Sequence, residues 1–321
     1  MSPVHRVGVV TVGYNSARHL PDFMHSLGAQ YGVEPHLYFV DNASPDDGAL
    51  IVEATGLASG PVTMVRNSDN VGVAAGNNAG IRAALADRHD WILLLNNDTE
   101  FDASFLRDLL DVAENEQLPL LSPVISTDDD ANSLWYGGGS IHPWQGFRVV
   151  HDGMYRRPAI ERVIATASER TAYAPTCALL VRRDVFETVG LMDESFFVYS
   201  DDVDFSIRCT SAGFMTSVTS RARMVHKDGG STGGVSSDFS VWWLTRNWVL
   251  VARKHLPRPR VPLALLYMLV WVGGRFILRR DPWRHTRLRL AAMRAAFRLD
   301  TGDLSVPQDR AVPGSSTRSV G

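Results

Sequence analysis

Residues 91–98 read Trp-Ile-Leu-Leu-Leu-Asn-Asn-Asp, five apolar residues that end abruptly on two amides and an acid. An unbroken apolar run of this length fits a strand buried on both faces, as a parallel sheet covered by helices requires. Three upstream runs, Val7–Val12, Leu37–Val40 and Val62–Val65, share that character. Helix-like stretches near 19–30, 46–57, 74–87 and 103–114 alternate with them. The βαβα order predicts an open α/β sheet.

Ligands of such sheets bind beyond the carboxyl ends of the strands. The residues there are Thr11-Val12-Gly13-Tyr14-Asn15, Asp41-Asn42, Arg66-Asn67 and Asn96-Asn97-Asp98, polar or acidic where a plain turn would suffice. Gly13 is solitary and no G-x-G-x-x-G follows the first strand, which disfavours a nicotinamide or flavin dehydrogenase. No G-x-x-x-x-G-K-[ST] occurs either, so a P-loop ATPase is disfavoured too.

The 321 residues are 45% hydrophobic and 21% charged, which excludes a collagen-like or wholly disordered chain. Two cysteines, Cys177 and Cys209, are too few for a disulfide framework and lack the paired spacing of a zinc site. They read as buried free thiols in a reducing compartment. The first strand begins without a charged n-region or cleavage site, so no signal peptide is expected.

Beyond residue 125 the pattern loosens. Residues 126–172 read as loops and a hairpin, then come a strand at Ala178–Val181, a helix over 202–212, two short strands within 215–226, and a helix from Val241 to His255. Val261 to Gly274 is almost wholly apolar, but fourteen residues fall short of the ~20 of a spanning helix. With a snorkelling Arg275 the run through Leu278 reaches further. A span, an interfacial helix and a helix docked on the protein all stay open. Near 285–299, Leu288, Ala292, Ala295 and Leu299 share one helical face, and Arg287, Arg294 and Arg298 another. Between residues 250 and 300 twelve Arg and Lys face two Asp, while the whole chain carries −3. That asymmetry points to an anionic membrane surface as partner, and nothing points to nucleic acid. The tail from Thr301 is rich in Ser, Pro and Gly and reads as disordered.

Three segments carry chemistry. Asp98, at the end of a buried strand, suits a divalent cation that neutralises a diphosphate, or else caps the next helix with Thr99 and Asp102. In Asp193-Glu194-Ser195-Phe196-Phe197-Val198-Tyr199-Ser200-Asp201-Asp202-Val203-Asp204, five carboxylates flank an aromatic patch. Like charges this close raise one pKa toward the range of a general base, although Asp201 or Asp202 also suits a helix cap. Asp204 and Arg208 are spaced as a structural helix pair. His226 ends an apolar run before Lys227-Asp228-Gly229-Gly230-Ser231-Thr232, as a metal ligand or as an ordinary hydrogen-bonded residue. The loop glycines suit approach to a phosphate. The small residues of 70–80 likewise let backbone approach a ligand closely.

Together these segments resemble the inverting family-2 glycosyltransferases of the GT-A fold, in particular the bacterial rhamnosyltransferase-like group. The resemblance covers about residues 6–256. It rests on Val-Thr-Val-Gly-Tyr-Asn-Ser at 10–16, Val-Asp-Asn-Ala-Ser at 40–44, Asn-Val-Gly-Val-Ala-Ala-Gly-Asn-Asn at 70–78, Leu-Asn-Asn-Asp-Thr at 95–99, the acidic segment at 193–205 and His-Lys-Asp-Gly-Gly-Ser at 226–231. It implies that Thr11, Tyr14, Asn15, Asp41 and Asn42 line the pocket for the donor's base and ribose. Arg66, Asn70, Gly72, Gly76 and Asn77 would wall the ribose and diphosphate. Asn96-Asn97-Asp98 stands in place of Asp-x-Asp, so Asp98 and His226 would hold Mg²⁺ or Mn²⁺. Asp202 matches the aspartate of the Glu-Asp pair that serves as base, with Asp201 where glutamate is usual.

The expected protein is thus an α/β GT-A domain (a Rossmann-like, mostly parallel open sheet) over 1–256, a basic helical membrane-associating extension over 257–300 and a tail over 301–321. It would move a sugar, rhamnose before others, from a nucleotide-diphosphate donor to a hydroxyl of a cell-envelope glycan or polyprenyl-linked acceptor. It would work in the cytoplasm, on the inner face of the membrane, and self-association stays open. The rivals are a sugar-nucleotide nucleotidyltransferase, for which Gly13-Tyr14-Asn15-Ser16 lacks a Gly-rich basic loop, and a non-catalytic module that only binds the nucleotide-sugar.

Overall fold

A computed structural model describes residues 5–127, 130–151, 168–227 and 236–298. Part of the 126–172 stretch, most of the 227–232 loop and the tail from Thr301 lie outside them. The chain divides into two compact units, one of residues 1–142 and 148–231, the other of 143–147 and 232–321.

In the first unit the early elements are β1 (His5–Gly13), α1 (Leu20–Gly28), β2 (Val33–Asp41), α2 (Gly48–Thr55), β3 (Val62–Arg66), α3 (Val73–Ala86), β4 (Trp91–Leu95), β5 (Thr99–Phe101) and α4 (Phe105–Asn115). Then follow β6 (Leu120–Thr127), β7 (Asp130–Tyr136), β8 (Gly139–His142), β9 (Arg148–His151), β10 (Glu169–Thr171), β11 (Ala178–Arg182), α5 (Arg183–Val189), α6 (Asp201–Ser211) and β12 (Thr216–His226). The main sheet runs β10-β12-β6-β11-β4-β1-β2-β3, with β5 on β12 and β7 on β6. β3, β2, β1 and β4 are mutually parallel, and β6 runs parallel to β12. Antiparallel β11 joins the two halves.

All five side chains of β4 are buried, as its unbroken apolar composition requires. Helix α3 lies against β1 and β2 through glycines. A Cβ at Gly80 would stand 2.4 Å from Val10 Cγ1, and one at Gly76 2.9 Å from Val12 Cγ1. The small residues of 70–80 therefore let this helix approach the sheet. The elements that the sequence pattern does not announce include the three-residue β5, β6, broken by Ser122 and Pro123, and the short helix α5. The two strands expected within 215–226 are one, β12, with a register shift between Thr219 and Arg223.

The second unit holds α7 (Asp238–His255), α8 (Val261–Ile277) and α9 (Trp283–Arg298). Val249, Ala252, Ala264, Met268, Val272, Met293 and Ala296 form its apolar core. Arg275 does not snorkel. Its guanidinium makes two hydrogen bonds to Asp281, at 2.8 and 2.7 Å, and Arg289 adds a third at 2.9 Å. These partners hold the Asp281 carboxyl down at about 2, the Arg275 bonds foremost. The buried face of α9 is Thr286, Arg289, Ala292, Met293 and Ala296; of the stripe read from spacing it keeps Ala292, while Leu288 and Ala295 are half-buried and Leu299 lies outside the described residues. The Asp281 partner lets an arginine sit in that face.

Candidate active site

Asp98 and His226 meet because β5 pairs with the end of β12, His226 lying opposite Thr99. The Lys227 amide then donates to the Asp98 carbonyl at 2.9 Å. His226 Nε2 stands 3.2 Å from Asp98 Oδ1, both side chains largely buried. Burial opposes a charged ring at His226, but the Cys177 sulfur and the Asp98 carboxylate outweigh it and push the pKa up to about 11. Burial likewise opposes charge on Asp98, yet His226, and His19 farther off, hold its carboxyl below the usual range.

Asp98 Oδ1 and both His226 nitrogens are buried, and beyond the 3.2 Å approach of Nε2 to Oδ1 none makes a well-aligned hydrogen bond among the described residues. Buried polar atoms are ordinarily satisfied, so this set suits a cation that completes its shell with phosphate oxygens and water. Among the described residues no group of three or more His, Cys, Asp or Glu could hold a metal alone. A carboxylate and an imidazole that gives up its proton on binding fit Mg²⁺ or Mn²⁺ as two ligands.

The acid pair opens α6. Tyr199 and Ser200 just before it both have φ near +64°, a left-handed conformation that non-glycine residues rarely adopt and that clusters at functional sites. Phe196, Phe197 and Val198 are buried, and Asp204 holds Arg208 at 2.8 Å. Arg208 also donates to the carbonyls of Val189 and Leu191, so this pair is structural. Asn78 holds the preceding turn through the Met192 backbone and Glu194.

Asp201 is buried, and burial with the neighbouring Asp202 charge pushes its carboxyl up to about 8. Its Oδ2 has no hydrogen-bond partner among the described residues. Asp202 is more exposed; its pKa also rises through burial, against a hydrogen bond from Tyr173. The Tyr173 hydroxyl donates to Asp202 Oδ2, and the Val203 amide to Oδ1 at 2.8 Å.

A row of rings joins the two acid centres. Trp135 lies 5.1 Å from His226 and 5.2 Å from His151, and His151 stacks on Tyr173 at 5.5 Å. Asp98 and Asp202 thus belong to one continuous set of side chains. Trp135, His151 and Tyr173 were invisible to the sequence reading, for each is an isolated aromatic in the irregular 126–173 stretch.

The remaining residues divide by role. Thr11 is fully buried at the end of β1, its hydroxyl without a hydrogen-bond partner among the described residues. Asn15 and Asn96 are exposed and Tyr14 half-buried. Asp41 accepts from the Ser44 amide, and Asn97 donates to the Val12 carbonyl. Asn42 bridges the Gly72 carbonyl and Asn67, and Asn70 accepts from the Gly72 amide, so these amides brace the wall. Arg66 is exposed and paired with Glu53. Gly72 has φ +87°, and a Cβ there would stand 2.3 Å from the Phe197 carbonyl oxygen. Gly76 touches Val12 and Asn42, and Asn77 is buried beside it.

The mostly parallel open α/β sheet, with an acid and a histidine at one strand edge and an acid pair at the start of α6, has the GT-A type of fold. Over residues 8–190 the sequence matches the model of Glycosyl transferase family 2, and the chain belongs to that family. It is 26% identical over 279 residues to the N-acetylglucosaminyl-diphospho-decaprenol L-rhamnosyltransferase of Mycobacterium tuberculosis, 79% of this chain and 87% of that one. It is also 26% identical over 322 residues to the galactofuranosyltransferase GlfT1 of the same species, 91% of this chain and 96% of that one. A solved structure of GalNAc-T7 with UDP, GalNAc and Mn²⁺ shares the fold, with TM-score 0.62 and 15% identity, over 98% of this chain and 59% of that one. The protein is a glycosyltransferase.

Proposed function

We propose that this glycosyltransferase moves a sugar, rhamnose before others, from a nucleotide-diphosphate donor to a hydroxyl of a polyprenyl-linked cell-envelope glycan, with inversion at the anomeric carbon. The observation that carries this reading is the single run of contacts from Asp98 and His226 through Trp135, His151 and Tyr173 to Asp202. Such a run of contacts suits a phosphate-side centre and a proton acceptor that serve one substrate, as a single displacement requires. The rhamnosyltransferase relative supports rhamnose and a lipid-linked acceptor. The longer match to GlfT1 favours galactofuranose as the second reading.

Asp98 and His226 would hold Mg²⁺ or Mn²⁺, which when bound neutralises the diphosphate and eases its departure. Asp202 takes the acceptor hydroxyl's proton as that oxygen attacks the anomeric carbon opposite the leaving diphosphate. It is the more exposed of the pair, while Asp201 is buried. A positioned base contributes about 10²–10⁴-fold.

A membrane surface is the proposed partner of the second unit, on the cytoplasmic side. Helix α8 buries Ala264, Met268 and Val272 but exposes Leu263, Leu266, Leu269 and Val270. One face is engaged by protein and the other apolar and open, which favours a helix lying in the interface over one that spans. Its segment, Arg258–Ile277, is long and apolar enough to cross a membrane by composition. Exposed Arg258, Arg260, Arg279, Arg280 and Arg287 complement anionic headgroups.

The test is a thermal-shift panel of nucleotide-sugars with Mn²⁺, then NMR of the product's anomeric configuration. A selective shift with one donor and an inverted product is expected. Retention of configuration, or no transfer from any donor, overturns the reading.

A further inference from the structure

We infer that Tyr173 is a positioning residue for Asp202, and that His151 holds Tyr173 in place. This rests on Asp202 being the base. Tyr173 is buried, and its hydroxyl donates to Asp202 Oδ2 while the Val203 amide donates to Oδ1. Both carboxylate oxygens are engaged, so the side chain is held in one rotamer before any acceptor arrives. Pre-setting a reacting group in this way removes a rotational cost from the barrier.

The donor is itself fixed. The Tyr173 carbonyl accepts from the Tyr136 hydroxyl at 2.6 Å and from the Thr171 hydroxyl at 2.9 Å, which pins the backbone. The His151 ring stacks on the phenol with 26° between the planes. His151 Nδ1 donates to the Trp135 carbonyl at 3.1 Å, which sets the ring's orientation. Burial raises the phenol pKa well above its ordinary value, so Tyr173 remains a proton donor to the carboxylate throughout the working range.

A hydrogen bond to the charged form of an acid lowers its pKa. Asp202 faces Asp201 on its own helix, Tyr173 from the segment after β10 and His151 from β9. Tyr173 donates a side-chain hydrogen bond to it, and that bond opposes the rise. Without that bond Asp202 protonates at higher pH and turns among more rotamers.

The experiment is the pH profile of kcat/KM for the wild type, Tyr173→Phe and Asp202→Asn in the full chain. Phenylalanine keeps the ring, its stack on His151 and the backbone contacts. In Tyr173→Phe the acid limb should move up by about one pH unit and kcat near neutrality should fall about tenfold, with donor KM held. A loss uniform across pH, or an unmoved limb, overturns the inference. If Tyr173→Phe does not fold, His151→Ala should move the limb in the same direction by a smaller step, and an unmoved limb there overturns it as well. Turnover lost in Asp202→Asn with an unmoved limb in Tyr173→Phe removes the positioning role alone. Turnover kept in Asp202→Asn removes the base reading and this one with it.

Discussion

His226 Nε2 lies 3.2 Å from Asp98 Oδ1, joined by the pairing of a three-residue strand with the end of the longest one. Neither side chain completes a metal site alone. The bound donor's phosphates would supply the remaining ligands, so EDTA should abolish transfer and Mn²⁺ should restore it. Asp98→Ala should lower turnover at least about a hundredfold, read as nucleotide diphosphate released. Full activity in chelator would remove the metal from the reaction.

Gly72 governs the contact between α3 and the acidic loop. The Val73 amide donates to the Phe197 carbonyl at 2.6 Å, and a Cβ on Gly72 would meet the same oxygen. Gly72→Ala adds a methyl group at φ +87° against backbone, and should cost at least about 2 kcal/mol in urea unfolding. An unchanged midpoint would mean the loop is not held there.

A second buried cluster lies away from the acids. His36, Tyr38 and His89 pack together, and the Tyr38 hydroxyl donates to Asp87. Burial lowers both histidine pKa values, that of His89 to about 4. In the unfolded chain His89 protonates near its ordinary 6.5, so between pH 6.5 and 4 the unfolded state binds the extra proton and stability drops as the pH is lowered. The slope from this residue is at most about 1.4 kcal/mol per pH unit. His89→Gln keeps a polar partner for His36 but does not titrate. Its urea midpoint should depend less on pH across this window than the wild type's, and equal slopes would place a charged ring in the fold.

The open face of α8 predicts a separable loss. Leu266→Asp with Val270→Asp changes two exposed residues one turn apart and leaves the buried Ala264, Met268 and Val272 untouched. Co-flotation with vesicles containing anionic lipid should be lost, while transfer to a soluble acceptor analogue continues. Undiminished flotation would locate membrane contact elsewhere or nowhere.

Local pattern carried the parallel half of the fold. β4 needs an unbroken apolar run because both its faces are covered, and the predicted Trp91–Leu95 matches it residue for residue. The helices between the early strands were legible for the same reason: burial against a sheet imposes a period on the chain. The half of the sheet beyond β11 was not, because β6 contains Ser122 and Pro123, and β12 changes register midway. Asp98, His226 and Asp202 were legible as residue types at strand and helix ends.

Which of them meet is a matter of long-range pairing. Only the register of β5 on β12 brings His226 to Asp98, and only folding lays Trp135, His151 and Tyr173 between that pair and Asp202. Arg275 shows the same limit, since no sequence period reveals that Asp281 and Arg289 close on it. Hydrophobic period records what each segment buries; contacts between distant segments depend on packing, which leaves no period in the chain.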